Sequence, residues 1–254
     1  MNQSSKLMVL ELGNLIAFLG TLAVNALSVA LPLNGRTPAE ISDSYPNLFT
    51  PAGYVFSIWS VIYLLLFLFS VYQALPSRRD QPFLQKISVY FILSCGANIT
   101  WIFLWHYEYI VLSVVPMFAL LGSLIMVYLR LDIGRAQQVT RGEKLCVHLP
   151  FSVYLGWITV APIANVAAAL VSIGWDGFGI SDIAWTMVMM STATLLTAIV
   201  TLTRRDIGYG LVIIWALVGI IFKQIHIIEI VSNAVIELMI IMITFTYSSL
   251  RSRI

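Results

Sequence analysis

Residues 110–131 read IVLSVVPMFALLGSLIMVYLRL, a run of twenty-two whose one charge, Arg130, comes next to last. A helix of that length measures about 33 Å at 1.5 Å per residue, enough to cross a ~30 Å hydrocarbon core. Glu108 closes the run on one side and the turn Asp132–Ile133–Gly134–Arg135 on the other. The same block recurs in both directions along the chain. Windows of about nineteen residues give eight expected spans, near 8–32, 54–75, 86–106, 110–131, 147–171, 183–203, 207–222 and 230–249. Turn chemistry separates them, as at Pro32–Leu33–Asn34–Gly35, Pro76–Ser77–Arg78–Arg79, Gly174–Trp175–Asp176–Gly177 and Thr203–Arg204–Arg205–Asp206. The expected fold is all-α, a polytopic transmembrane helical bundle.

Composition excludes the other classes. The 254 residues are 59% hydrophobic and only 10% charged, with a mean hydropathy of +0.91. A soluble globule carries about 25% charge, and a disordered chain lacks these apolar blocks. The net charge of +2 says less about partners than where the cations sit. If eight helices alternate, one side carries Lys6, Arg78, Arg79, Lys86, Arg130, Arg135, Arg141, Lys144, Arg204, Arg205, Arg251 and Arg253, and the other only Arg36 and Lys223. The 12-to-2 split places both termini in the cytoplasm, with the plasma (inner) membrane as the expected location. The first apolar run exceeds the 7–15 residues of a signal peptide's core, so it reads as an uncleaved anchor.

Motifs of soluble enzymes are missing: no GxGxxG, P-loop, HExxH or GxSxG occurs. Cys95 and Cys146 fall in different spans without CxxC spacing, and His106, His148 and His226 lack clustered carboxylates, so no metal site is expected. Cations dispersed over several loops do not form a nucleic-acid footprint either.

Aromatic and amide residues instead recur at helical spacing. Span three places Asn98, Trp101 and Trp105 on one face; span five aligns Pro150, Tyr154, Trp157, Ala161 and Asn165. Span two adds Phe56, Trp59 and Tyr63, and span one Asn14, Phe18, Thr21 and Asn25. Amides avoid lipid, so these stripes should face one another. Two readings stay open: amides that merely bridge helices, with Trp105, Trp175 and Trp185 in interfacial belts, or rings that wall a flat, mostly apolar ligand.

At these residues the chain resembles the TspO/MBR family, the tryptophan-rich sensory or translocator proteins. The resemblance rests on Leu48–Phe49–Thr50–Pro51–Ala52–Gly53–Tyr54–Val55–Phe56–Ser57–Ile58–Trp59, on Asn98–Ile99–Thr100–Trp101, and on Pro150, Trp157 and Asn165. It covers about residues 8–172, and implies a five-helix membrane core (1–172) followed by a three-helix segment (173–254). It further implies a pocket for a porphyrin- or sterol-like ligand used in sensing or transport. Pro51, Phe56, Trp59, Tyr63, Asn98, Trp101, Trp105, Tyr154, Trp157 and Asn165 would line it. Porphyrin or haem would be a ligand there, with no cofactor required. The family's Trp-x-Pro-Pro loop reads Phe49–Thr50–Pro51–Ala52 here, and no Tyr-then-basic pair follows span five.

Glu237, inside the last span, is the oddest charge. An intramembrane acid is either a neutral packing group, with Asn233 one turn away as its natural neighbour, or a proton site. That second role would suit a secondary transporter of a small solute. A retinal protein is disfavoured because Lys223 ends its span, and catalysis because no nucleophile–base pair is visible. The expected partners are the bilayer, a hydrophobic small molecule and, as an open alternative, a second copy in a homodimer.

Overall fold

Capping residues set the helix starts. Thr37 and Glu40 form a reciprocal capping box at the helix Pro38–Asp43, while Ser181 and Asp206 accept from the first-turn amides of the helices Asp182–Arg204 and Ile207–Lys223. The computed structural model describes residues 3–78 and 81–251. Its helices are α1 (Gln3–Ala30), α2 (Pro38–Asp43), α3 (Ile58–Ala74), α4 (Pro82–Ile87), α5 (Tyr90–His106) and α6 (Ile110–Leu131). They continue as α7 (Arg141–Glu143), α8 (Leu149–Ser172), α9 (Asp182–Arg204), α10 (Ile207–Lys223) and α11 (Ile228–Arg251). No strand occurs among the described residues. The protein is a multi-pass all-α membrane bundle.

Eight of these helices match the eight apolar blocks. Six have both the length and the hydropathy to cross a membrane, α3 and α8 together with the turns before them. The other two, α5 and α10, have 17 residues each, the short end of the spanning range. Two boundaries differ from expectation. The block near 86–106 is broken at Ser88, whose φ of 51° ends α4 and restarts the chain as α5. The block near 147–171 is entered through a π-turn at Lys144–His148. Pro116 and Pro162 lie inside α6 and α8 without ending either helix.

α8 is the central helix, packed against α3, α6 and α10, and α5 joins α6 to α1. α9 and α11 pair with each other and hold α10 between them and α8. Close approach needs small residues. A Cβ on Gly156 of α8 would stand 2.8 Å from the Tyr209 carbonyl oxygen of α10. The loop before α3 is stitched to α10 as well: Ala52 N donates to Gly219 O at 3.1 Å, and Trp215 Nε1 to Val55 O at 3.1 Å.

The two ends of the bundle differ in charge. At one end Arg204 pairs with Asp132 at 3.2 Å, Arg135 Nε donates to Thr203 O, and Arg130 stacks over Tyr90. At the other, both cations are neutralised: Arg36 by Glu108 at 3.2 Å and Lys223 by Asp43 at 2.7 Å. Arg79 and Arg253, counted in the cation split, lie outside the described residues.

Candidate functional site

The spacing of α3, α5 and α8 turns their aromatic stripes toward one another. Trp59 of α3 is the hub. It stacks on Tyr63 (centroids 5.6 Å apart) and Trp101 (6.4 Å), and meets Tyr154 (6.0 Å) and Trp157 (6.1 Å) edge-on. Phe56, in the turn before α3, packs edge-on against Trp157, and Trp101 stacks on Trp105 at 5.6 Å. Nine of the ten expected residues thus share one cluster or its hydrogen bonds. Pro51 is the exception: it packs beside Gly219 of α10.

Amides tie the cluster together. Asn25 Nδ2 donates to Asn98 Oδ1 at 2.7 Å, and Asn98 Nδ2 to Tyr154 Oη at 3.4 Å. Trp101 Nε1 donates to Asn165 Oδ1 at 2.9 Å, and Asn165 Nδ2 to Ser113 Oγ of α6 at 2.9 Å. Trp105, for which the sequence left an interfacial belt or the ligand wall open, is buried and donates to Pro38 O. The α1 stripe of Asn14, Phe18, Thr21 and Asn25 is buried too. Two buried donors stay without a partner: Trp157 Nε1 and Tyr63 Oη. Such groups are rare in a finished core.

A large cavity lies on another flank of α8. It is an apolar groove of ≈ 800 Å³ between α6, α8 and α9, walled by residues such as Leu121, Ile125, Ile163, Val166, Met189 and Leu196. Trp175, Trp185 and Phe49 close its cation-poor end, and Tyr128, Arg204 and Tyr209 the other. None of the ten expected ligand residues lines this groove. Trp175 and Phe49, read from sequence as a belt residue and as a stand-in for a loop tryptophan, both belong to it.

Glu237 of α11 is 5% exposed, and Ser191 Oγ of α9 donates to its carboxyl at 2.5 Å. The expected neighbour Asn233 makes no such bond; its Nδ2 is buried and unpartnered. Sequence reading treated Asp206 only as part of a turn. It is buried, and it accepts from Tyr128 Oη (2.8 Å), Ser152 Oγ (2.6 Å) and the Tyr209 amide (3.2 Å), joining α6, α8 and α10. An Asp just before an apolar helix signals an N-cap, but only the fold supplies the other two donors.

At the cation-poor rim, Tyr45 Oη donates to Glu108 at 3.0 Å; burial first, and then that carboxylate, push its phenol above the usual range. Among the described residues no three His, Cys, Asp or Glu side chains gather to hold a metal ion. Cys95 and Cys146 are free thiols.

No curated protein and no solved structure shows significant similarity to the chain. A family model described as TSPO-like protein matches residues 9–248, running past the expected core boundary at 172 to include α9, α10 and α11. With a match over nearly its whole length, through helices that bring the tryptophan and asparagine stripes together, the chain belongs to the TSPO-like family.

Proposed function

We propose that this protein binds a planar, hydrophobic small molecule of porphyrin or sterol type within the bilayer, for sensing or transport, and is not an enzyme. The observation that carries the reading is the Trp59-centred cluster with its two unpartnered buried donors. Rings on three helices offer flat apolar faces, and the indole and phenol donors suit the polar edge of such a ligand. Ring packing would have to open to admit it, with Phe56, Trp59 and Tyr63 the less buried members. The groove favours a second reading in which the ligand lies between α6, α8 and α9. The 12-to-2 cation split supports cytoplasmic termini in a plasma membrane.

Protoporphyrin titration in detergent separates the two sites. Binding at the cluster predicts saturable quenching of tryptophan emission. Trp101→Ala and Trp157→Ala would each weaken it by roughly 0.5–1.5 kcal/mol beyond the lost contact area. Trp175→Ala and Trp185→Ala would leave affinity unchanged. The reverse pattern moves the site to the groove. Non-saturating quenching, equal in all four variants, would mean partitioning into detergent and reject both.

A further inference from the structure

The groove between α6, α8 and α9 opens sideways. α8 forms its floor, and α6 and α9 form its banks. α9 packs closely on α11 and only slightly on α8, so the space between the banks holds no helix. Phe118, Ile125 and Leu129 on α6, and Leu196 and Ile199 on α9, line the groove and are exposed. Both helices are long and apolar enough to span, so side chains exposed along them meet hydrocarbon rather than water. The hydroxyls within the lining are already bonded to protein. Tyr128 Oη donates to Asp206, Tyr209 Oη to Thr159 Oγ1, Thr159 to Leu155 O and Thr192 to Val188 O. Most of the groove therefore asks for an apolar occupant.

Its two ends differ. Trp175, Trp185 and the carboxylate of Asp182 stand at the cation-poor end. At the other end the turn after α6 is clamped onto the C-terminus of α9. Arg204 Nη1 donates to Asp132 Oδ1 at 3.2 Å and to Ile133 O at 3.3 Å, and Arg135 Nε donates to Thr203 O at 2.9 Å. The turn lies so close to the Arg204 carbonyl that Gly134 has no room for a Cβ. Arg204 and Thr203 both line the groove, so two guanidiniums meet at its mouth. The carboxylate of Asp132 offsets part of that charge, whereas Asp206 is buried behind Tyr128 with three donors of its own. Arg135 is exposed, and its two terminal nitrogens have no partner among the described residues.

A guanidinium fork matches a phosphate, and basic pockets between spans on the positive-inside face suit anionic headgroups. We propose that the groove binds an anionic phospholipid from the leaflet on the cation-rich side. Arg135 and Arg204 hold its phosphate, and one acyl chain lies along Ile125, Leu129, Leu155, Leu196, Ile199 and Val200. Arg204 to Leu196 measures about 12 Å along α9, within the ~15 Å that one leaflet's chains fill. A helix from another chain suits this bed less well, because helices approach closely in lipid through small residues and these six are Leu, Ile and Val. The site is separate from the aromatic cluster. A lipid here displaces the planar ligand from the groove and leaves the cluster reading untouched.

The test uses the full chain, delipidated in mild detergent and titrated with phosphatidylglycerol or phosphatidylcholine of identical chains, with bound lipid counted by native mass spectrometry. One phosphatidylglycerol should bind about ten-fold tighter than phosphatidylcholine, and Arg135→Gln should cut that preference about five-fold. Arg130→Gln removes the same charge from the same end, but on the flank where Arg130 stacks over Tyr90, and should leave the preference unchanged. Val200→Trp fills the bed and should abolish lipid binding; should it fail to fold, Leu196→Trp takes its place. Excess glycerol 3-phosphate, the headgroup without chains, should not displace the lipid. Equal affinity for the two lipids, an equal loss in Arg130→Gln, or binding that survives a filled bed would each overturn the proposal. Displacement by glycerol 3-phosphate would reassign the mouth to a free phosphate, and a lipid-free dimer would reassign the groove to a second copy; either overturns it. One-for-one displacement by protoporphyrin would also overturn it, while Trp101→Ala and Trp157→Ala still report separately on the cluster.

Discussion

Asp206 shows how much one side chain can hold in a membrane bundle. Its carboxylate takes the Tyr128 and Ser152 hydroxyls and caps α10. Asp206→Ala would strand both hydroxyls where water is scarce. Each lost bond is worth about 0.6–2 kcal/mol within a membrane protein, so melting should shift down by the equivalent of roughly 1–4 kcal/mol. Adding Tyr128→Phe to Asp206→Ala should cost less than the two separate changes summed, because both remove the same bond. Strict additivity in thermal unfolding would show that Tyr128 and Asp206 act independently. The aromatic residues behave otherwise. Trp59 needs no hydrogen bond to organise the cluster, because its ring stacks with two neighbours and meets two more edge to face.

Between helices, small residues decide what can touch. Where α8 crosses α10, Gly156 lets the Tyr209 backbone approach, and a Cβ there would also stand 3.1 Å from Val212 Cβ. Gly156→Leu should therefore push α10 away from the five-helix portion and lower stability by about 1–3 kcal/mol, the range for overpacking a closed contact. Gly122 of α6 is the control, with nothing within 4 Å of its Cβ position, so Gly122→Ala should melt no lower than the parent. Equal melting of Gly156→Leu and the parent would mean that the crossing yields freely. α9 is spaced differently. It packs closely on α11 and only slightly on α8, and the groove opens in the space this leaves beside α6.

The bundle as a whole is asymmetric in charge. Cations gather at the end holding Arg130, Arg135 and Arg204, while the opposite end neutralises both Arg36 and Lys223. From that asymmetry the positive-inside rule predicts a cytoplasmic loop between α6 and α7 and an outer loop between α8 and α9. In a Cys95→Ser, Cys146→Ser background, a cysteine replacing exposed Phe178 should react with a membrane-impermeant maleimide in intact cells. One replacing exposed Gln137 should react only after permeabilisation. Reversed labelling would invert the orientation, and labelling of both in intact cells would break the alternation of spans.

Periodicity and composition alone determined the helical class, the eight apolar blocks and the inward faces of the Asn–Trp stripes, because lipid penalises exposed amides whatever the helices pack against. The short resemblance around Trp59, Asn98 and Trp157 likewise pointed to the family. Three things needed the tertiary structure: Ser191 rather than Asn233 as the partner of Glu237, the three-helix role of Asp206, and a groove that enlists Phe49 and Trp175. Each depends on which helices become neighbours and in what register. A linear pattern gives the face a residue occupies, whereas its partner is chosen by small residues, caps and turn angles at points distant in sequence, such as Gly156 against Tyr209.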